Sequence, residues 1–291
     1  MGETALRVVM SGLLNGGIYA LVAMGLSLQY GVARVLNIAH GEFIMLGALT
    51  TWTLYRSFGI NPLLSLAISG PILFGIGFVL YRTLFRGLSN RSPSPEVFQG
   101  NSLLVTFGLL FIIQNIALLR WSSLARSYNY LDSVVWLAGS AFRLNRLVAL
   151  AIAIVVGVVF YLFLTRSRPG KAIRAAAQDP ATAGLMGINI NWVLPLCFGL
   201  GAFLAGLAAV LISMVYQGST PYMGLSYTVI ALIVVVLGGL GSITGSFVGG
   251  LILGLVGSLV SSWDISFVLI AFYAIFMILL IIRPTGIFGK K

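Results

Sequence analysis

Between Asp179 and Arg283 the chain carries one formally charged residue, Asp264, and most of that stretch is apolar. A water-soluble domain cannot hide so long a run, because its surface needs charged side chains to stay in solution. A bilayer accommodates it. The remainder of the chain agrees: 59% of its 291 residues are hydrophobic and only 8% are charged, where soluble domains run near ~25% charged. With about 20 residues needed per helical crossing, the length accommodates roughly eight to ten crossings. The expected fold is therefore all-α: a polytopic integral membrane protein, one transmembrane domain over residues 1–291, with room among its segments for broken or re-entrant helices.

The net charge of +11 raises the question of nucleic acid. The positions of the bases answer it. Arg34, Arg56, Arg82, Arg86, Arg120, Arg166 and Arg283 each stand at the edge of an apolar run, where basic side chains snorkel to headgroups and set orientation. Membrane lipids, and no nucleic acid, are the implied contacts. The single cysteine, Cys197, lies inside an apolar stretch, so neither a disulfide framework nor a thiolate metal site is expected.

Apolar segments fall at about residues 8–30, 36–55, 63–81, 102–119, 147–164, 192–216, 227–240, 247–262 and 265–282. They are continuously apolar rather than alternating, which excludes an outer-membrane barrel. In lipid they must be helices or half-helices, since only these satisfy their own backbone hydrogen bonds. The opening Met-Gly-Glu-Thr-Ala-Leu-Arg lacks a basic leader and a small-residue cleavage site, so the first span is expected to be retained. The Gly-rich stretch from Gly238 to Gly250 carries no charge, which fits either a tight turn at one face or unwound backbone at membrane depth.

Orientation follows the bases. The loop over residues 165–191 holds Arg166, Arg168, Lys171 and Arg174 against Asp179, and the tail holds Arg283, Lys290 and Lys291. Placing both in the cytoplasm requires an even number of crossings between them, and four segments intervene. The 82–100 loop then joins them, whereas the loop from Arg120 to Arg146 is external against the sense of its bases. Three segments before Arg82 put the N-terminus outside unless one of them is re-entrant.

Three constellations stand out. The first is Val35-Leu-Asn-Ile-Ala-His-Gly-Glu-Phe-Ile-Met-Leu-Gly47, with the chain's only histidine, His40, beside one of its six acids, Glu42. The apolar run after Glu42 extends only to Tyr55, about 20 Å of helix, against ~30 Å of hydrocarbon. Asn37, His40 and Glu42 therefore point to a broken or cavity-lining segment. The competing reading is a helix start at the interface, where Glu suits the positive dipole end. No His-Glu-x-x-His occurs, one histidine cannot build a zinc site, and no nucleophile–base pair is apparent. The site inventory is accordingly without catalytic or metal-binding residues.

The second is the polar loop. Pro169-Gly170 is expected to break the preceding helix, and Lys171 to Gln178 to form a new one. Asp179-Pro180 starts another, with Asp as N-cap and Pro at the first helical position; Gly187 is suited to end it in a left-handed conformation. Two short surface helices displaying small residues result. The third is glycine at four-residue spacing: Gly241, Gly245 and Gly249, Gly250 and Gly254, Gly12 and Gly16. This spacing lets helices approach backbone to backbone. No phosphate-binding loop of the Gly-x-x-x-x-Gly-Lys-Ser/Thr type occurs, so an ATP-driven device would need its ATPase on another chain.

The chain resembles the membrane subunits of bacterial ABC importers for branched-chain amino acids, the LivH-type permeases. The resemblance rests on residues 16–26, on Asn37-Ile-Ala-His-Gly-Glu42 and its continuation to Gly47, on 169–180 with Met186-Gly-Ile-Asn189, on 238–249, and on Arg283-Pro-Thr-Gly-Ile-Phe-Gly289. Permeases for urea and short amides are similar at the Asn37 stretch, and they remain the alternative substrate class. An ion-coupled secondary transporter would want more intramembrane acids than this chain has. The resemblance implies a multi-pass inner-membrane permease with no cofactor of its own. It also implies a LivM-like second permease or a second copy of this chain, two cytoplasmic ATPases that bind ATP and Mg, and a periplasmic binding protein. On that basis Lys171, Arg174, Asp179, Pro180, Met186 and Gly187 fall in the ATPase-coupling segment. Asn37, His40 and Glu42 are the expected pathway-side residues, or else the lock of a broken helix.

Overall fold

The computed structural model describes residues 2–137, 140–216, 218–283 and 285–289, and only the backbone of 2–5 and Leu137. Nine apolar helices emerge: α1 (Gly2–Ala33), α2 (His40–Phe58), α3 (Leu66–Arg91), α4 (Pro95–Trp121), α5 (Leu144–Arg166), α8 (Ile190–Val215), α9 (Met223–Gly238), α10 (Ile243–Ser261) and α11 (Phe267–Ile282). Two polar helices, α6 (Arg168–Gln178) and α7 (Pro180–Leu185), stand between the fifth and the eighth. Six of the nine are long and apolar enough to cross a membrane. The all-α expectation has one exception among the described residues, an antiparallel pair β1 (Val134–Leu137) and β2 (Ser140–Arg143) in the 120–146 loop.

Burial sorts the helices into layers. The apolar window of α8 is 83% buried and that of α1 is 61% buried, against 28% for α4 and for α5. A helix apolar all round and enclosed is a core span; one apolar all round and exposed faces lipid. On the outside, α11 shows Ile270, Met277 and Ile281 at 61%, 63% and 78% exposure.

Glycines set how closely the core packs. A Cβ on Gly12 would lie 2.7 Å from the Cα of Leu255, and one on Gly16 would lie 2.8 Å from the Cα of Leu251. Gly250 and Gly254 return the contact from α10 onto Ala20 and Gly16. A Cβ on Gly249 would lie 3.0 Å from the Val234 carbonyl oxygen of α9, and one on Gly245 would fall on Gly238. Gly241 is not helical: it lies in the turn between α9 and α10, at φ +82°, against Gly31 at the end of α1. The 238–250 stretch thus holds a tight turn over residues 239–242 followed by the start of α10, with Gly239 and Gly241 in the left-handed region that favours glycine.

The packing also fixes the parity of crossings. Ser258 Oγ donates to Val8 O at 2.7 Å, so α1 begins beside the end of α10. The tail returns to the end of α9, where the Ile287 amide donates to Leu237 O at 2.9 Å. Helices α1 and α2 precede Arg82 and α3 carries it to the face of α6 and α7, so the start of α1 lies on the opposite face. That second face carries Arg34, Arg82, Arg86, Arg91, Arg166, Arg168, Lys171, Arg174 and Arg283; the first carries Arg7, Arg56, Arg120, Arg126, Arg143 and Arg146. The bias of bases toward the face of α6 and α7 is the pattern expected of a cytoplasmic side. Lys290 and Lys291 lie outside the described residues, as does Pro284.

Candidate functional site

The chain leaves α1 at Arg34, whose φ of 55° turns the backbone back into the bundle. Six residues later α2 begins at His40, at the depth of Val22, eleven residues before the end of α1. At 1.5 Å per residue that is about 16 Å below the cytoplasmic end. Residues 34–39 are non-helical and the helix starts inside the protein, as a broken segment would; the competing interfacial start does not hold, and the apolar segment begun at residue 36 becomes helical only from His40.

This irregular link survives because every neighbouring helix supplies a partner. Asn37 Nδ2 donates to Gln29 Oε1 at 3.1 Å, and Gln29 Nε2 donates to Phe198 O at 3.1 Å, tying the break to α1 and α8. Thr106 of α4 accepts from the Ile38 amide and donates to Leu36 O. Thr228 of α9 donates to Ile38 O at 2.9 Å and accepts from the Gly41 amide at 2.8 Å. Backbone polar groups away from water must be paired, and here side chains do what a helix would otherwise do. Gln29, Thr106 and Thr228 were not singled out by motif; a polar residue within an apolar span is the signal that points to them.

Asn37, His40 and Glu42 are fully buried. His40 Nε2 lies 3.0 Å from Val22 O; a carbonyl only accepts, so Nε2 carries the proton and Nδ1 is left as a buried acceptor. The Glu42 carboxyl occupies the notch left by the missing side chain of Gly224, the second residue of α9. Neither of its oxygens has a hydrogen-bond partner among the described residues. Buried groups of this kind are expensive in a membrane protein and persist where a fixed geometry requires them. The cavities that open at the two faces are lined by other residues. The three side chains are brought together at one junction of α1, α2, α8 and α9, and what that junction does geometrically is hold a broken helix in place.

The cytoplasmic segment is built differently from its sequence reading. The break after α5 falls at Ser167, whose Oγ accepts from the Gly170 amide at 3.0 Å, so Pro169 and Gly170 lie in the first turn of α6 rather than before it. Proline is tolerated there because its missing N–H has no helical partner anyway. The expected display of small residues holds for Ala181 and Gly184 of α7, whereas in α6 Ala172, Ala175 and Ala177 are half-buried and Ala176 is buried. Ile173 and Ala176 are buried, packed in a cluster with Leu28 and Val32 of α1, Leu164 of α5 and Cys197 of α8. Lys171 and Arg174 are exposed on the other side of the same helix.

Asp179 caps α7. Its Oδ1 accepts from the Ala181 amide at 2.9 Å, and its Oδ2 accepts from the Thr182 hydroxyl. These bonds, led by the one from Thr182, hold the carboxyl below the usual aspartate range. A depressed value means the cap is complete at neutral pH and is lost only as pH falls through that lowered value. Pro180 is the first helical residue, and Gly187, at φ +84°, ends the motif. Between them Leu185 and Met186 stand 88% and 80% exposed at the cytoplasmic face, an apolar pair at the tip of a capped helix.

Comparison with known proteins adds a family. The model of a family described as "Branched-chain amino acid transport system / permease component" matches residues 8–283. The chain is 32% identical to the high-affinity branched-chain amino acid transport system permease protein BraD of Pseudomonas aeruginosa, over 98% of this chain and 96% of that one. It is 30% identical to the corresponding LivH protein of Escherichia coli K12 with the same coverage of both. A shorter likeness, 27% identical over 44% of this chain and 42% of the relative, reaches the ribose import permease protein RbsC of Haemophilus influenzae. No solved structure matches the chain.

Proposed function

This chain belongs to the family of branched-chain amino acid transport permease components, and from that premise we propose that it is the membrane subunit of an ABC importer for branched-chain or other small neutral amino acids. ATP hydrolysis belongs to partner chains: two cytoplasmic ATPases that bind ATP and Mg. A second permease, LivM-like or a second copy, completes the conduit, and a periplasmic binding protein delivers the solute. The observation that carries the proposal beyond the family is the exposed Leu185–Met186 tip on the basic face. An apolar pair whose side chains are almost wholly exposed, held by an N-cap and a left-handed glycine, suits insertion into a cleft of a partner.

The same geometry supports a mechanism. Closure of the ATPase pair around ATP would displace α7 and, through it, α6. Because Ile173 and Ala176 are embedded against Leu28, Val32 and Leu164, α6 cannot slide without moving α1 and α5. Both helices lead to the opposite face, so a displacement in the cytoplasm is delivered to the external end. No covalent chemistry is required of this chain.

Asp179→Lys tests the docking claim. Lysine accepts no bond from the Ala181 amide and puts positive charge at a helix start, where it is unfavourable. The expected result is a severalfold loss of ATPase retained on the tagged permease in a pull-down, with uptake falling in proportion. Unchanged retention and unchanged uptake would contradict the assignment of this segment. The substrate class is tested by identifying the amino acid that the cognate binding protein holds; urea or a short amide there would redirect it.

A further inference from the structure

At the external face a cavity of about 530 Å³ opens between the first turns of α1, the start of α5, and the ends of α8 and α10. A second cavity of about 450 Å³ adjoins it beneath β2, and Arg7, Ser11, Arg146 and Tyr216 border both. Among the described residues lining either cavity there is no acid. The aspartate of the neighbouring loop, Asp132, is already engaged, 3.0 Å from Arg143. Arg146 Nε is buried and has no hydrogen-bond partner among the described residues. A guanidinium presents its donors as a rigid fork, and leaving one buried and unpaired costs free energy that an acceptor entering the cavity would recover.

The other walls have matching chemistry. Ser258 donates its hydroxyl proton to Val8 O, Ser261 to Ser258 O and Ser262 to Leu259 O. With their protons committed to carbonyls, these three hydroxyls have only oxygen lone pairs left to offer, and lone pairs suit an ammonium. Tyr216 donates to Asn15 Oδ1 at 2.9 Å, which leaves the Asn15 amide nitrogen as a further donor. Val8, Ile265 and Val268 supply an apolar wall. Volumes of roughly 300–1,000 Å³ are typical of small-molecule sites.

We propose that this cavity receives the zwitterionic head of an aliphatic amino acid, with Arg146 and Arg7 holding the carboxylate, the α10 serines facing the ammonium, and the Val8–Val268 wall taking the side chain. The inference rests on the importer reading above and adds to it a place where this chain itself recognises the solute. A carboxylate on the docking surface of the binding protein has the same chemistry, and the experiment separates the two sources.

The experiment uses the full assembly in nanodiscs with Cys197→Ala and a reporter, Ser11→Cys, at the border of the two cavities. Thiol modification is compared for anionic and cationic methanethiosulfonates of similar size. The anionic reagent is expected to react about tenfold faster, leucine to slow it severalfold, and leucinamide, which lacks the carboxylate, to leave it unchanged. Adding Arg146→Gln is expected to remove most of the anionic preference. In the unlabelled assembly the same change is expected to cut leucine imported per ATP on the order of tenfold, the loss of one charge-assisted bond, with Arg146→Lys restoring part of it. Equal reaction with both reagents, or protection by leucinamide as good as by leucine, would overturn the site. So would a need for more binding protein at unchanged leucine per ATP, because the arginines would then be meeting a protein acid. If the wild-type assembly imports no amino acid while leucine still protects Ser11→Cys, it is the importer reading that fails and not the cavity.

Discussion

Gly224→Val is expected to abolish transport and to strip most of the folded protein from a detergent extract. The Cβ of any residue at 224 would fall on the carboxyl of Glu42, 2.5 Å from its Cδ. The Glu42 side chain is fully buried, so it can move aside only by displacing packed neighbours. Retreat of α9 would break the bonds that Thr228 makes to Ile38 O and to the Gly41 amide. Overpacking a well-filled core costs about 1–3 kcal/mol; here a fully buried carboxyl would have to give way to the added side chain, so the upper end is expected. Gly108→Ala is the matched control. It sits within α4 with nothing near its would-be Cβ, and alanine is the better helix former by up to about 1 kcal/mol. Thermal size-exclusion profiles should show the first variant aggregating and the second no less stable than wild type. A Gly224→Val protein as stable and as active as the parent would mean that the close approach of α2 and α9 does not exist.

The second large effect is expected at the cytoplasmic tip. Leu185→Asp combined with Met186→Asp should leave the melting profile of this chain unchanged, because both side chains are almost wholly exposed. ATPase retention should collapse. Buried anchor residues at interfaces are worth about 2 kcal/mol or more apiece, so losing one corresponds to roughly thirtyfold in affinity, and a charge in the cleft adds a desolvation cost. Ile173→Asp offers the contrast: its side chain is buried against α1, so the effect should appear as loss of folded protein as well as loss of partner. Retention of the ATPase by the double aspartate variant would remove the tip from the interface.

How much of this was legible in the residues depended on which force dominates locally. All nine apolar segments are helices in the structure, because continuous hydrophobicity in lipid leaves no other solution. Asp179-Pro180 and Gly187 marked the ends of α7 for an equally local reason: caps and left-handed turns are chosen by one or two residues. The start of α2 was not legible. Residues 36–39 are apolar enough to extend the helix, and only Thr106, Thr228 and Gln29, distant in sequence, offer the competing bonds that keep them irregular. The burial of Ala176 in α6 was not legible for a similar reason. Small size permits either display to a partner or close burial against α1, and tertiary contact decides. The β1–β2 hairpin carries a weak signal in Val134-Val-Trp-Leu and Ala141-Phe, β-branched and aromatic residues on either side of a glycine, which the surrounding membrane pattern obscured. Crossing parity could not be read while the 36–55 segment was ambiguous; Gly31 against Gly241, and Ser258 against Val8, resolve it.

The central claim is that this chain is a passive conduit, moved by ATPases that grip α7 from the cytoplasm. Uptake of labelled leucine into proteoliposomes measures it most directly, first with this chain alone, then with its second permease, ATPases, loaded binding protein and ATP. The account predicts background uptake in the first case and ATP-dependent accumulation in the second. Accumulation by the chain alone, without companion subunits or nucleotide, would contradict it.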